Sequence, residues 1–149
     1  MKVLAIGAHP DDIEIFMFGF LYACTIRKDD VYLAIATDGG AGNIMNCKNL
    51  VQVREKETKT ALLSLGEPLM LGLPDGSLSN SKIAYNKIND CIKSIKPDLI
   101  ITHAPEDYHP DHIELSRLVV NATGFLCPVI FADTLMGVNF TPDYYIDIT

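Results

Sequence analysis

Basic residues are in short supply in this chain: 12 Lys and Arg stand against 19 Asp and Glu, giving a net charge of −7 and a pI near 4.9. The few cations are scattered, whereas a phosphate-backbone partner needs them clustered, so no nucleic-acid partner is expected. No apolar stretch reaches the ~18 residues of a membrane span. Met1-Lys2 leads straight into an apolar segment, without the charged, apolar and cleavage regions of a signal peptide. Cysteine is sparse too. Cys24, Cys47, Cys91 and Cys127 lie far apart with no CxxC spacing, which reads as reduced thiols in a cytoplasmic protein. Repeats, low-complexity tracts and linkers are missing, and 149 residues suffice for one domain spanning 1–149. The 48% hydrophobic content and mean hydropathy of +0.18 are globular values.

What the chain does have is an alternation of strand and helix patterns. Apolar runs at 2–7, 31–36, 69–71 and 98–102 read as buried strands, and 128–132 and 144–148 as late strand candidates. Helical periodicity covers 12–26, with Ile13, Phe16, Met17, Phe20, Leu21 and Cys24 as its apolar stripe. It recurs over 49–65, 81–95 and 112–123. In the second of these helices Val53, Thr60, Ala61 and Leu65 are expected inward, with Gly66 as the stop. Strands alternating with helices mean an α/β fold with a mainly parallel, doubly wound sheet. In the common strand order 3-2-1-4-5, the first and fourth strands are neighbours, and the crevice between them is where such folds keep their chemistry.

Two clusters sit just there. His9-Pro10-Asp11-Asp12 follows the first strand and His109-Pro110-Asp111-His112 follows the fourth. His9 and Asp12 are three apart at a helix start and can face one way, and His112 can supply a third ligand. Two imidazoles and a carboxylate leave positions open for water and substrate, as in a catalytic zinc site. Asp11 is placed to take a proton from water, His109 to face a developing oxyanion as a charged donor, and Asp111 to fix the tautomer of His109 and raise its pKa. Arg54 reads first as a solvated helix charge near Glu55 and Glu57, and Asp38 and Asp75 as turn residues. His103 ends a strand and is not nominated.

The string Ala8-His9-Pro10-Asp11-Asp12-Ile13-Glu14, paired with His109-Pro110-Asp111-His112, resembles the LmbE-like, or PIG-L-type, family of zinc-dependent N-deacetylases. Known members remove acetyl groups from N-acetylglucosamine units of glycolipid precursors, thiol cofactors and chitin-derived sugars. The likeness runs on through Thr37-Asp38-Gly39, Arg54 with Glu57, Pro74-Asp75-Gly76 and the closing Asp147-Ile148-Thr149. It implies a Rossmann-like fold and a small N-acetylated amino sugar or glycoconjugate as substrate. It further implies His9, Asp12 and His112 as zinc ligands, Asp11 as general base, His109 as the oxyanion and proton-transfer partner, Asp111 as its orienter, and Arg54 as a substrate contact.

Two departures stand out. Phe16-Met17-Phe18-Gly19-Phe20 is bulky where the family usually has small residues. The family also continues for several dozen residues past the Asp-Ile-Thr segment, so the C-terminal part of its fold is expected to be missing, and self-association or a longer parent polypeptide is expected. Competing readings are a metal-binding but inactive family member and a magnesium-dependent receiver-type signalling domain built on Asp11-Asp12. The latter wants an acceptor Asp after strand three and a late Lys; Asp75 comes late and no Lys lies near 128–135. A dinucleotide binder is excluded because Gly7-Ala8-His9-Pro10 is not GxGxxG.

Overall fold

The computed structural model describes residues 1–42, 47–78, 81–134, 137 and 139–147. Its elements alternate as β1 (Lys2–Gly7), a π-helical turn (Ile13–Met17), α1 (Phe18–Ile26), β2 (Asp30–Thr37), α2 (Leu50–Ala61), β3 (Leu69–Leu73), α3 (Lys82–Ile95), β4 (Leu99–His103), α4 (Pro110–Thr123) and β5 (Val129–Ala132). The strands form a five-stranded sheet in the order β3-β2-β1-β4-β5, with every neighbouring pair parallel. β1 lies at its centre, and Val3 to Gly7 are all buried, as a strand covered on both faces requires.

Alternate side chains of the sheet feed two apolar layers. Leu4, Ile6 and Ile100 pack with Ile88, Ile92, Leu115, Leu118 and Val119 of α3 and α4. Val3, Ala5, Ile35 and Ile101 pack on the other face with Ile13, Met17, Leu21 and Cys24. Helix ends follow local chemistry. The Ser81 hydroxyl accepts the Ala84 N–H at 3.1 Å to start α3, and Pro110 opens α4. The helix expected over 12–26 is split, because the turn leaving β1 takes a wider π-helical spacing before regular α-helix begins at Phe18.

Two expectations need correction. α2 ends at Ala61, not 65, and Thr58 is its buried residue, whereas Val53, Thr60 and Ala61 are exposed. Leu62 and Leu65 are buried from the turn that follows. The reason is that the inward stripe of α2 faces a polar loop, not apolar core, so hydrophobic periodicity misreads its phase. Residues 144–147 form no strand, and Tyr144 and Tyr145 are largely exposed; Ile148 and Thr149 lie outside the described residues. Aromatic and β-branched content favours a strand only where a neighbour supplies the ladder.

Leu115, fully buried beneath the sheet, tests this packing against Leu63, which is 80% exposed. Leu115→Ala is expected to cost about 3 kcal/mol in urea unfolding and Leu63→Ala less than about 0.5 kcal/mol. Similar costs for the two would contradict the packing.

Candidate metal centre

Parallel pairing of β1 with β4 sets both clusters at the carboxyl end of the sheet. β1 ends at Gly7, where a Cβ would press on Asp12 Cβ at 3.2 Å and on Ile13 Cγ1 at 3.1 Å, so glycine lets the following turn fold back tightly. That turn buries His9 and Asp12, and the start of α4 buries Asp111 and His112 beside them.

Asp12 is the hub. Its Oδ2 accepts the backbone N–H of His9 at 2.6 Å and lies 3.3 Å from His9 Nδ1, while Oδ1 lies 3.3 Å from His112 Nε2. The rings of His9 and His112 are 5.4 Å apart. Burial alone would push the Asp12 carboxyl up, but hydrogen bonds with His103, His112 and His9 hold it well below the usual range. His9 shows the reciprocal effect. Burial pulls it down, yet the hydrogen bond and charge of Asp12, with Asp75 and Asp111 beyond, lift it to about 9. His112 is raised for like reasons, against burial, by Asp12 and Asp107.

The far nitrogens of these two histidines are also engaged. His112 Nδ1 is 2.9 Å from Asp107 Oδ2, and His9 Nε2 is 3.1 Å from Asp75 Oδ1 and 3.2 Å from Asp111 Oδ2. Carboxylates on the outer nitrogens are what metal-ligating histidines ordinarily have, since they fix the tautomer and turn the other nitrogen inward. Among the described residues, candidate ligand atoms within 4.8 Å of one another form three groups: His9, His109 and His112; Asp12, His103 and His112; and His9, Asp75 and Asp111. A mixed imidazole and carboxylate set of this kind fits zinc.

The expected reactive groups surround this hub. Asp11 has φ +129°, a conformation that side-chain-bearing residues rarely adopt, and its carboxylate is half exposed to the cavity. Burial raises its pKa, against the opposing charge of Arg54. Arg54 reaches in from α2 to Asp11 Oδ2 at 2.7 Å. His109 caps α4, its Nδ1 accepting the Asp111 N–H at 3.2 Å. Burial and the neighbouring His112 and His9 lower its pKa, outweighing Asp111. With Nδ1 accepting, a ring proton falls on Nε2, and the downward shift runs against the charged donor expected from sequence. The Asp111 carboxylate acts against this lowering without reversing it. That carboxylate accepts the N–H groups of Gly76 and Leu78 at 2.8 and 2.9 Å and faces His9.

Sequence reasoning passed over two members of the cluster. His103 is fully buried, stacks on His112 at 3.7 Å between ring centroids, and places Nε2 3.1 Å from both the Ala8 N–H and Asp12 Oδ2. Burial lowers its pKa, more than Asp12 raises it. Its position at the last residue of β4, level with the end of β1, was the available signal. Asp107 is signalled only by lying five residues before His112. Asp75, read first as a turn residue, faces His9 across the site. The cavity in front has a volume of about 430 Å³, and its lining includes Asp11, Arg54 and Asp75 together with the apolar Ile15 and Phe16.

The GlcNAc-PI de-N-acetylase (PIG-L) family model matches residues 4–123. The chain is 27% identical over 147 residues to a 1D-myo-inositol 2-acetamido-2-deoxy-alpha-D-glucopyranoside deacetylase of Corynebacterium diphtheriae, covering 78% of this chain and 50% of that one. It is 25% identical over 170 residues to diacetylchitobiose deacetylase of Thermococcus kodakarensis, covering 99% and 64%. Among solved structures, N,N'-diacetylchitobiose deacetylase of Pyrococcus horikoshii superposes with a TM-score of 0.86 at 24% identity, over 99% of this chain and 64% of that one. The chain thus spans between half and two thirds of the length of these relatives. With the family pattern extending from β1 to the end of α4, the chain belongs to the GlcNAc-PI de-N-acetylase (PIG-L) family.

Proposed function

We propose that this chain carries the catalytic centre of a zinc-dependent hydrolase that removes the acetyl group from an N-acetylglucosamine-type amino sugar or glycoconjugate. The observation that carries the reading is Asp12 seated between His9 and His112, with a strained carboxylate, Asp11, next to it at the mouth of a cavity. Family membership and the deacetylase relatives support it.

His9, Asp12 and His112 would hold the metal. When bound, zinc supplies Lewis acidity, which polarises an amide carbonyl and makes water a better nucleophile near neutral pH. Asp11 takes a proton from the attacking water as its oxygen bonds to the acetyl carbon. As the C–N bond breaks, that proton goes to the departing nitrogen, leaving acetate and a free amine. His109 Nε2–H donates to the carbonyl oxygen as negative charge gathers there. Asp111 and Asp107 hold His9 and His112 in register. Cys24 and Cys91, buried as thiols, suit a cytoplasmic setting.

Two outcomes check the reading. Acetate release from a small N-acetylated amino sugar is expected to fall by about a hundredfold or more in Asp11→Asn, with metal content unchanged, because the amide cannot accept the water proton. Loss of metal in that variant would make Asp11 a ligand instead. The lifted His9 gives a second outcome. Its proton stabilises the metal-free fold fully below the ordinary 6.5, and this contribution is lost as pH rises through about 9. Zinc must displace that proton, so affinity should rise with pH up to about 9. Calorimetry at pH 7.5 in buffers of different ionisation enthalpy should show roughly one to two protons released per zinc. Binding without proton release would contradict the ligand set.

A further inference from the structure

α2 is attached to the body of the protein in an unusual way. Thr58 is its buried residue, and the inward face that a soluble helix normally fills with apolar side chains carries Arg54 and Thr58 instead, four residues apart. Both bind the segment that leaves β1. Arg54 Nη2 donates to the Pro10 carbonyl at 2.6 Å and to Asp11 Oδ2 at 2.7 Å, and Nη1 donates to the Gly39 carbonyl at 3.2 Å. Thr58 Oγ1 donates to Glu14 Oε1. Gly39 makes room for this arrangement. Its φ is +66°, and a Cβ there would stand 2.8 Å from Pro10 Cδ and 3.1 Å from Arg54 Nη1.

We propose that Arg54 is a positioning residue, a clamp that joins α2 and the Gly39 loop to the Pro10-Asp11 peptide and holds Asp11 in its strained conformation, a role separate from the substrate contact that the family resemblance implies. A backbone at φ +129° persists only where its surroundings over-determine it. One guanidinium bonding to the carbonyl before that residue and to its side chain does so from both sides. A planar fork is suited to this, since it reaches three acceptors in fixed directions where an ammonium is a single point of charge. The assignment of Asp11 as general base is taken from the proposed function; the clamp itself does not depend on it.

The test has two arms. In urea unfolding of the metal-free chain, Arg54→Gln should lower the midpoint, and a double-mutant cycle with Asp11→Asn should be non-additive, because the two groups share one contact. Arg54→Lys, which keeps the charge and loses the fork, should recover part of the midpoint but not all of it. In the zinc-loaded protein, Arg54→Gln should lower kcat on an N-acetylated amino sugar by roughly 10- to 100-fold, a larger factor than any rise in KM, as misplacement of a catalytic group does. Should Arg54→Gln fail to fold, the Arg54→Lys chain carries both arms. Additive midpoints, or a raised KM with kcat retained, would overturn the clamp. A wild-type chain without deacetylase activity would overturn the proposed function, while the unfolding cycle would still decide the clamp.

Discussion

A carboxylate with only 4% of its surface exposed must be paired, and the pairing of Asp12 organises this end of the molecule. Three imidazoles and the backbone N–H of His9 converge on its two oxygens. None of the three is close to the others by local sequence alone. They meet because β1 and β4 are adjacent and parallel and because each strand delivers its polar residues at the same end. All four histidines of the chain belong to this group or border it, His109 at 4.7 Å from the ring of His9. Without a cation the cluster sets an ionised carboxylate among partly protonated rings. A bound divalent ion would replace those protons and satisfy the same lone pairs, which ties the stability of the site to its chemistry.

Much of this was legible in the residues. The order of apolar runs implies a parallel sheet, and the strand order common to such sheets, 3-2-1-4-5, which the structure has, places His9, Asp12 and His112 at one end. The residues that escaped notice are those whose meaning depends on direction. His103 reads as one more end-of-strand residue until the register of β4 against β1 places it under His112. Asp107 reads as a loop acid until the first turn of α4 aims His112 at it. Asp111 lies two residues from His109, with which the sequence pairs it, and only the fold shows that its carboxylate also faces His9 and accepts the Gly76 and Leu78 N–H groups. The phase of α2 was misread for a related reason: its inward face meets polar partners, and hydrophobic periodicity carries no signal for that.

The two helices flanking the centre do different work. α4 is anchored by Leu115, Leu118 and Val119 in apolar core, so its first turn is a fixed platform for His109, Asp111 and His112. α2 is held through polar contacts to the turn after β1, so its seating and the conformation of Asp11 are linked. Apolar packing fixes the residues that would hold the metal, and a hydrogen-bonded bridge fixes the residue that would move the proton. The apolar lining of the cavity, Ile15 and Phe16, comes from the π-helical turn.

Metal content measured on the purified chain and on Asp12→Asn and His112→Ala bears most directly on the central claim. After dialysis against buffer with equimolar zinc, the wild-type chain should retain about one ion, and each variant should lose nearly all of it, since each removes one of the three proposed ligands. A wild-type chain that holds no zinc, or variants that hold as much as it does, would contradict the account.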